Sequence, residues 1–327
     1  MERLRGSPFR KKLNDRHKKL KDALTVAPES QQLRQLLAEV DAALERLDTG
    51  TYGVCLECQD PIEPERLLAD PLLQFCLDHL PPPQQRALEE DLELAYQIQK
   101  ALLPPQFTRT DGFEVAYHYQ SSGPVSGDYC DHLRPDGHDF YFMIGDVSGK
   151  GIAASMLMAH LHASFRTLVS LGLPLAQIVE RASRMFCEST LTSHFATLVC
   201  GKVDAVGEVE ICNAGHLPPF VIQRGAIEKI DSTGLPLGMF CDTSYEVRKL
   251  QFSPGGTILL YTDGVSEARD RSGVEYGAER LHDFVKENRS LPPKELVSAL
   301  TEDLRGFRSG KSFFDDVTVM AIRRMPE

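Results

Sequence analysis

The 327-residue chain has no tryptophan and no uninterrupted apolar run near the 18 residues that a membrane-crossing helix needs. No basic n-region followed by an apolar h-region opens it, so no secretory signal is read and a cytoplasmic protein without a membrane partner is expected. A P-loop is missing as well. The stretch GDVSGKG, Gly145 to Gly151, has the glycines and a lysine, but only three residues separate Gly145 from Gly149. Gly151 stands where Ser or Thr should meet magnesium, and Asp146 would put a negative charge among the phosphates. No Ser/His/Asp order and no nucleophilic cysteine motif is present. Positive charge is scarce too: the formal net charge is −11, which argues against nucleic acid as the main partner. The exception is the first 21 residues, with nine Arg or Lys against Glu2 and Asp15. They form either a basic arm for an acidic protein or RNA, or a solvated helix face.

What is present suffices for two domains of unequal size, since 42% of the residues are hydrophobic. Of the eight cysteines, Cys130, Cys187, Cys200, Cys212 and Cys241 have no partner spacing, and they read as reduced, buried thiols. The others are grouped. CLEC supplies Cys55 and Cys58, CLDH supplies Cys76 and His79, and 17 residues separate the two pairs. Each x-x spacing lets two ligands converge on one tetrahedral ion, so this is a zinc site; four protein ligands leave no open position, which makes the zinc structural. Upstream, Leu33, Leu37, Val40, Leu44 and Leu47 give one apolar helix face, Leu13, Leu20 and Leu24 suggest another, and TVAPES is the turn between them. Residues 9 to 80 thus read as an antiparallel helical hairpin leading into a zinc finger. The stretch ALERLDTGTYGVCLECQDPIEPERLLADPLLQFCLDH resembles the DksA/TraR zinc-finger family over residues 40 to 80, with His79 in place of a fourth cysteine. DksA itself acts on RNA polymerase through a long coiled coil. The hairpin here is much shorter, so that activity is not carried over.

After PPPQQ, residues 84 to 103 form one amphipathic helix with Leu88, Leu92, Ala95, Ile98 and Leu102 along a stripe. The stripe must be covered either by a second copy of itself, making a homodimer, or by the next domain. From residue 112 the pattern changes to short β-branched and aromatic runs, FEVAYHY, FYFMIGD, FATLVCGKV, EVEICNA, PFVIQ, TILLYTDG and VTVMAI, interrupted by paired helices near 150 to 171, 175 to 190, 277 to 288 and 293 to 306. This is an α+β pattern, a β-sandwich with helices outside. Asp128 in SGDYCD, Asp146 in IGDVSG, Asp263 in YTDGV, and Asp315 and Asp316 in FDDVTV all lie where an apolar run meets a turn. Hard oxygen ligands of this kind suit Mg²⁺ or Mn²⁺, and two such ions can activate a shared water against a phosphoryl group. His216 in NAGHLPPF is a possible proton donor, though a histidine in such a turn is more often structural.

The motifs IQKALLP, SGDYCD, GDVSGKG, NAGHLPP, GLPLG, YTDGVSEA and DDVTV, in that order over residues 92 to 324, resemble the PPM-class metal-dependent Ser/Thr phosphatases of the SpoIIE/RsbU branch. The resemblance implies the PPM fold and two Mn²⁺ or Mg²⁺ ions. Asp146 would bridge them, Asp128 would hold one, Asp263 and Asp315 the other, and the Val147 carbonyl would complete the shell. It implies a phosphorylated protein substrate, a STAS-type anti-sigma-factor antagonist, and a switch role for the helix before the domain, with Ile98 and Leu102 as coupling contacts. The arginine that holds phosphate in eukaryotic relatives has no counterpart here. The expected organisation is a helical hairpin over 1–50, a zinc finger over 51–82, a linker helix over 83–105 and the phosphatase domain over 106–327. Two other readings stand beside it: a two-metal hydrolase of small phosphoesters, and a DksA-like polymerase-binding protein with a scaffold C-terminal domain.

Overall fold

The computed structural model describes residues 8–110, 112–135, 139–190, 194–309 and 315–325. The chain makes two compact units, Met1–Asp91 and Leu92–Glu327. The dividing point falls within the helix Pro82–Leu102 (α4), inside the expected linker segment.

In the first unit α1 (Pro8–Val26) and α2 (Gln31–Thr49) form the hairpin. Ser30 caps α2 by accepting from Leu33 N–H, and Gly50 closes it at φ 78°, donating to the Arg46 carbonyl. Leu13, Val40, Ala43 and Leu47 pack with Tyr52, Ile62 and Leu67 into one apolar cluster that also takes in Cys55 and Cys76. α3 (Pro64–Ala69) and a single 3₁₀ turn (Leu77–His79) complete the finger, whose Tyr52 hydroxyl donates to the Pro71 carbonyl at 2.9 Å.

The second unit begins inside α4 (Pro82–Leu102) and holds two antiparallel sheets. β1 (Phe107–Thr110), β2 (Phe113–Gln120), β11 (Val317–Arg324), β10 (Thr257–Tyr261), β7 (Phe220–Gln223) and β8 (Ala226–Lys229) lie side by side in that order. The other sheet runs β3 (Asp128–Leu133), β4 (Phe140–Val147), β5 (Ala196–Val203), β6 (Glu208–Ala214), β9 (Arg248–Gln251). Strand β4 shows why the sequence reads as an unbroken apolar run: Phe140, Phe142 and Ile144 face the other sheet, while Tyr141, Met143 and Val147 face α5 (Gly151–Val169) and α6 (Leu175–Ser189). A strand covered on both faces has no polar side to display. α8 (Gly277–Asn288) and α9 (Pro293–Phe307) cover the six-stranded sheet in the same way, so the layers run helix, sheet, sheet, helix.

One expectation about the cysteines is corrected. Cys130, Cys200 and Cys212 are buried free thiols, but Cys187 and Cys241 are joined in a disulfide. The Gly238 N–H donates to Ser183 Oγ and the Tyr245 hydroxyl bonds the same oxygen, which draws the loop after Gly234 onto α6. That places Cys241 with its Cα 5.5 Å from that of Cys187, across 54 residues of sequence that no spacing rule links. Among the described residues no helix is long and apolar enough to cross a membrane.

Candidate active site and zinc centre

β3 and β4 pair so that Asp128 lies directly opposite Asp146. Cross-strand partners rise from the same face of a sheet, so register alone sets these two carboxylates side by side. Asp263 opens the single turn α7 (Asp263–Ser266) at the end of β10. Here the glycine of YTDG is required by space, because a Cβ on Gly264 would overlap the Asp316 carbonyl oxygen. Asp315 precedes β11, the neighbour of β10. The fold thus gathers all four strand-end aspartates at one end of the sandwich.

Their electrostatics reflect that gathering. Burial first, then the Asp146 charge, pushes the Asp128 carboxyl well above the carboxylate range. Asp146 is pushed up to about 7 by burial and by the charges of Asp263, Asp315 and Asp316. Asp263 is raised by burial, then by Asp315 and Glu267. Crowded, half-buried carboxylates need positive charge to ionise together, and an all-oxygen donor set fits Mg²⁺ or Mn²⁺. The four do not converge as tightly as the zinc set: among the described residues only that cluster brings three or more ligand atoms within 4.8 Å of one another.

Several residues around the aspartates were not singled out from sequence. Asp128 Oδ2 accepts from Thr262 Oγ1 at 2.9 Å and from Thr318 Oγ1, which leaves Oδ1 as its remaining acceptor. Both oxygens of Asp316 are engaged. Its Oδ1 accepts from the Ser122 N–H and hydroxyl and its Oδ2 from the Gly127 N–H, at 2.7, 3.0 and 2.9 Å, which ties the turn before Asp128 to β11. Asp315 carries instead an ion pair with Lys150 at 2.9 Å. Val147 ends β4, and its N–H donates to the Gly127 carbonyl. His216 is buried between Thr197 Oγ1 (2.8 Å) and the Tyr261 carbonyl (3.1 Å), with its pKa pressed down to about 4 by burial. It is a neutral strut joining β5 to β10, not a proton donor at neutral pH.

The expected coupling contacts divide. Leu102 packs on the core beneath α5, but Ile98 is 56% exposed. Between them Gln99 is buried and clasps Ser126, donating to its carbonyl at 2.7 Å and accepting from its N–H at 3.0 Å. Ser126 Oγ in turn accepts from the Asp128 N–H at 3.1 Å. Q99 belongs to the IQKALLP motif, and its helix position, one past an exposed apolar residue, was the only sequence signal.

In the first unit Cys55, Cys58, Cys76 and His79 have their ligand atoms within 4.8 Å of one another. Cys58 and Cys76 sulfurs lie 3.7 Å apart, and Cys76 Sγ is 3.2 Å from His79 Nδ1. Burial opposes ionisation of Cys55, but the N–H groups of Cys76, Cys58 and Glu57 outweigh it and hold the thiol at about 6. Three sulfurs and one imidazole nitrogen gathered this closely fit zinc.

Residues 136–325 match the family model described as Stage II sporulation protein E (SpoIIE). The chain belongs to the SpoIIE family. Residues 50–78 match the prokaryotic dksA/traR C4-type zinc finger, a match that ends one residue before His79. Among curated relatives, Protein IcfG of Synechocystis sp. is 27% identical over 264 residues, 72% of this chain and 41% of that protein. Phosphoserine phosphatase RsbP of Bacillus subtilis is 28% identical over 235 residues, 70% of this chain and 56% of that one. The chain therefore spans about half the length of these two relatives, or less. The crystal structure of the RsbU and RsbW domains of Rv1364c from Mycobacterium tuberculosis superposes with a TM-score of 0.57 at 28% identity, covering 66% of this chain and 62% of that one.

The raised carboxyls fix a pH dependence for the metal-free SpoIIE-family domain. A group whose folded pKa lies above its unfolded value near 3.9 binds more protons when folded, so its contribution to stability is lost as pH rises through the folded value. For Asp146, at about 7, ionisation in the fold costs on the order of 4 kcal/mol. With a chelator present, the melting temperature is expected to fall as pH rises from about 5 to about 8. Added Mn²⁺ is expected to raise it more at the upper end, as scanning calorimetry would read.

Proposed function

We propose that the chain is a metal-dependent protein serine/threonine phosphatase that hydrolyses phosphoserine or phosphothreonine on a regulatory protein. The observation that carries this is the meeting of Asp128, Asp146, Asp263 and Asp315, three of them with raised pKa values, at one end of a SpoIIE-family sandwich. Two Mn²⁺ or Mg²⁺ ions held there would supply a water of lowered pKa and positive charge for phosphoryl oxygens. Asp146 would bridge the pair, Asp128 would offer its remaining oxygen to one ion, Asp263 and Asp315 would serve the other, and the Val147 carbonyl would complete the shell. Thr262 and Thr318 orient Asp128, and Asp316 fixes the turn that carries it. The name RsbP carries, phosphoserine phosphatase, supports the reaction class, and a STAS-type antagonist of an anti-sigma factor is the proposed substrate. Phosphate release from such a phosphoprotein in Mn²⁺, and none from nucleotides or small phosphoesters, tests this against the small-molecule hydrolase.

We further propose a homodimer through α4, whose Leu94 and Ile98, one turn apart on the same face, are each 56% exposed. α4 would act as a switch through the Gln99 clasp, with the zinc finger setting its position in a cytoplasmic protein. Removing the clasp leaves the Ser126 N–H and carbonyl without partners, at about 1–3 kcal/mol for each buried group. Gln99→Ala is expected to lower the melting point by several degrees and, at temperatures where the variant is still folded, to raise the Mn²⁺ concentration for half-maximal activity about tenfold or more. An unchanged Mn²⁺ dependence would leave α4 as packing only.

A further inference from the structure

A cytosolic disulfide is usually transient or redox-sensing, and the cytoplasmic protein proposed above carries one between Cys187 and Cys241. Small thiols can reach it. Cys241 is exposed and Cys187, on α6, is half-buried, and an exposed disulfide is the readily exchanged kind.

The bond ties down one defined span. Leu237 exchanges both backbone hydrogen bonds with Ala196, at 2.7 and 3.0 Å, and the Gly238 N–H reaches Ser183 Oγ at 3.2 Å. Downstream, the buried Tyr245 hydroxyl bonds the same Ser183 oxygen at 3.1 Å. These anchors on β5 and α6 do not depend on the disulfide. Between them, among the described residues, the other ties of residues 239–244 are weak. The Met239 N–H meets the Pro236 carbonyl at 3.5 Å, Thr243 Oγ1 donates to the Phe240 carbonyl within the span, and Arg184 pairs with Asp242 at 3.4 Å where both side chains face solvent. The span flanks the candidate active site, because Ala196 is the cross-strand partner of Val147 and the Phe195 carbonyl accepts from the Ser148 N–H at 2.9 Å. Met239 and Phe240, 43% and 59% exposed, present apolar surface there.

We propose that Cys187 and Cys241 are a redox-sensing pair, closed by exchange with glutathione disulfide and opened by glutathione, and that the closed bond orders residues 239–244 for contact with the phosphoprotein. The exposed Cys241 thiolate attacks one sulfur of glutathione disulfide, forming a mixed disulfide and releasing one glutathione. The Cys187 thiolate then attacks the Cys241 sulfur and releases the second. Two protein thiols and one glutathione disulfide thus become one protein disulfide and two glutathione thiols, with two electrons passing from protein to glutathione. Opening reverses both steps. A span ordered beforehand has less entropy to lose when substrate docks. The contact with substrate rests on the phosphatase reading; the exchange does not.

The zinc-loaded full-length protein, equilibrated at ratios of glutathione to glutathione disulfide from reducing to oxidising, provides the test. Mass spectrometry is expected to show the 187–241 cross-link forming and opening reversibly across the series. As it closes, amide exchange at residues 239–244 should slow about tenfold or more, the melting point should rise by roughly 5–15 °C, and KM for a phosphoserine protein should fall about fivefold or more at nearly constant kcat. Cys241 is exposed, so Cys241→Ser should fold, and it should show none of these shifts, which separates the pair from the zinc thiols. A cross-link that never forms, or one that glutathione cannot open in the folded protein, overturns the redox pair. Unchanged exchange at 239–244, or the same KM in both states of an active protein, overturns its hold on the span. If the pair titrates but neither state releases phosphate from any phosphoserine protein with Mn²⁺ bound, the phosphatase reading fails and the exchange stands.

Discussion

Asp146→Asn is expected to lower phosphate release by roughly a thousandfold or more, because under the proposed two-ion reading it removes the charge that would bridge both ions. The fold should not suffer. Asp146 already favours its neutral form up to about pH 7, owing to burial and to the charges of Asp263, Asp315 and Asp316. Asparagine has nearly the same volume and is neutral at every pH, so it relieves the repulsion instead of leaving a hole. The variant's metal-free melting point at pH 8 should equal or exceed that of the wild type, by up to a few kcal/mol of stability. Loss of activity with preserved or raised stability is the signature of a ligand; loss of both would make Asp146 a structural residue, and retained activity in Mn²⁺ would remove the two-metal assignment.

The second large effect concerns zinc. The native protein should carry about one tightly held zinc per chain, and Cys55→Ser with Cys58→Ser should lose it. Binding to such a site contributes on the order of 10 kcal/mol to folding, more than a small apolar cluster can replace. Cys55 and Cys76 belong to the same cluster as Val40, Ala43 and Leu47, so losing the ion should unravel residues 50 to 80 and loosen the inner face of the α1–α2 hairpin. The second unit has three apolar clusters of its own and should keep its melting transition. Elemental analysis with hydrogen exchange resolves both outcomes. A native protein without zinc, or a double variant that keeps it, contradicts the assignment.

What could be read from the sequence was what repeats or sits next to itself. The apolar stripes gave α1, α2 and α4, helices matching α5, α6, α8 and α9 were read between the strand runs, and the doubly covered strands β4, β5 and β10 announced themselves as apolar runs. Asp146, Asp263 and Asp315 were visible because each adjoins such a run, and Asp128 through the SGDYCD motif. Short strands were not: β1, β8 and β9 have four residues each and lie at or near sheet edges, too brief for an alternation to register. β3 was hidden for another reason, since its DYCDHL mixes buried acids with apolar residues. Long-range polar contacts were also out of reach. Thr262 and Thr318 meet Asp128 across 134 and 190 residues, and Asp316 holds Gly127 across 189. The same limit hid the bond between Cys187 and Cys241. For Gln99 the helix was legible, but the stripe drew attention to Ile98, whose neighbour makes the buried contact.

Phosphate release from a serine-phosphorylated STAS protein, followed with purified full-length chain at increasing Mn²⁺, tests the central claim most directly. Release that rises with Mn²⁺, stops with chelator and is absent in Asp146→Asn is the predicted result. Metal-independent release, or no release from any phosphoserine protein while Mn²⁺ is bound, would contradict it.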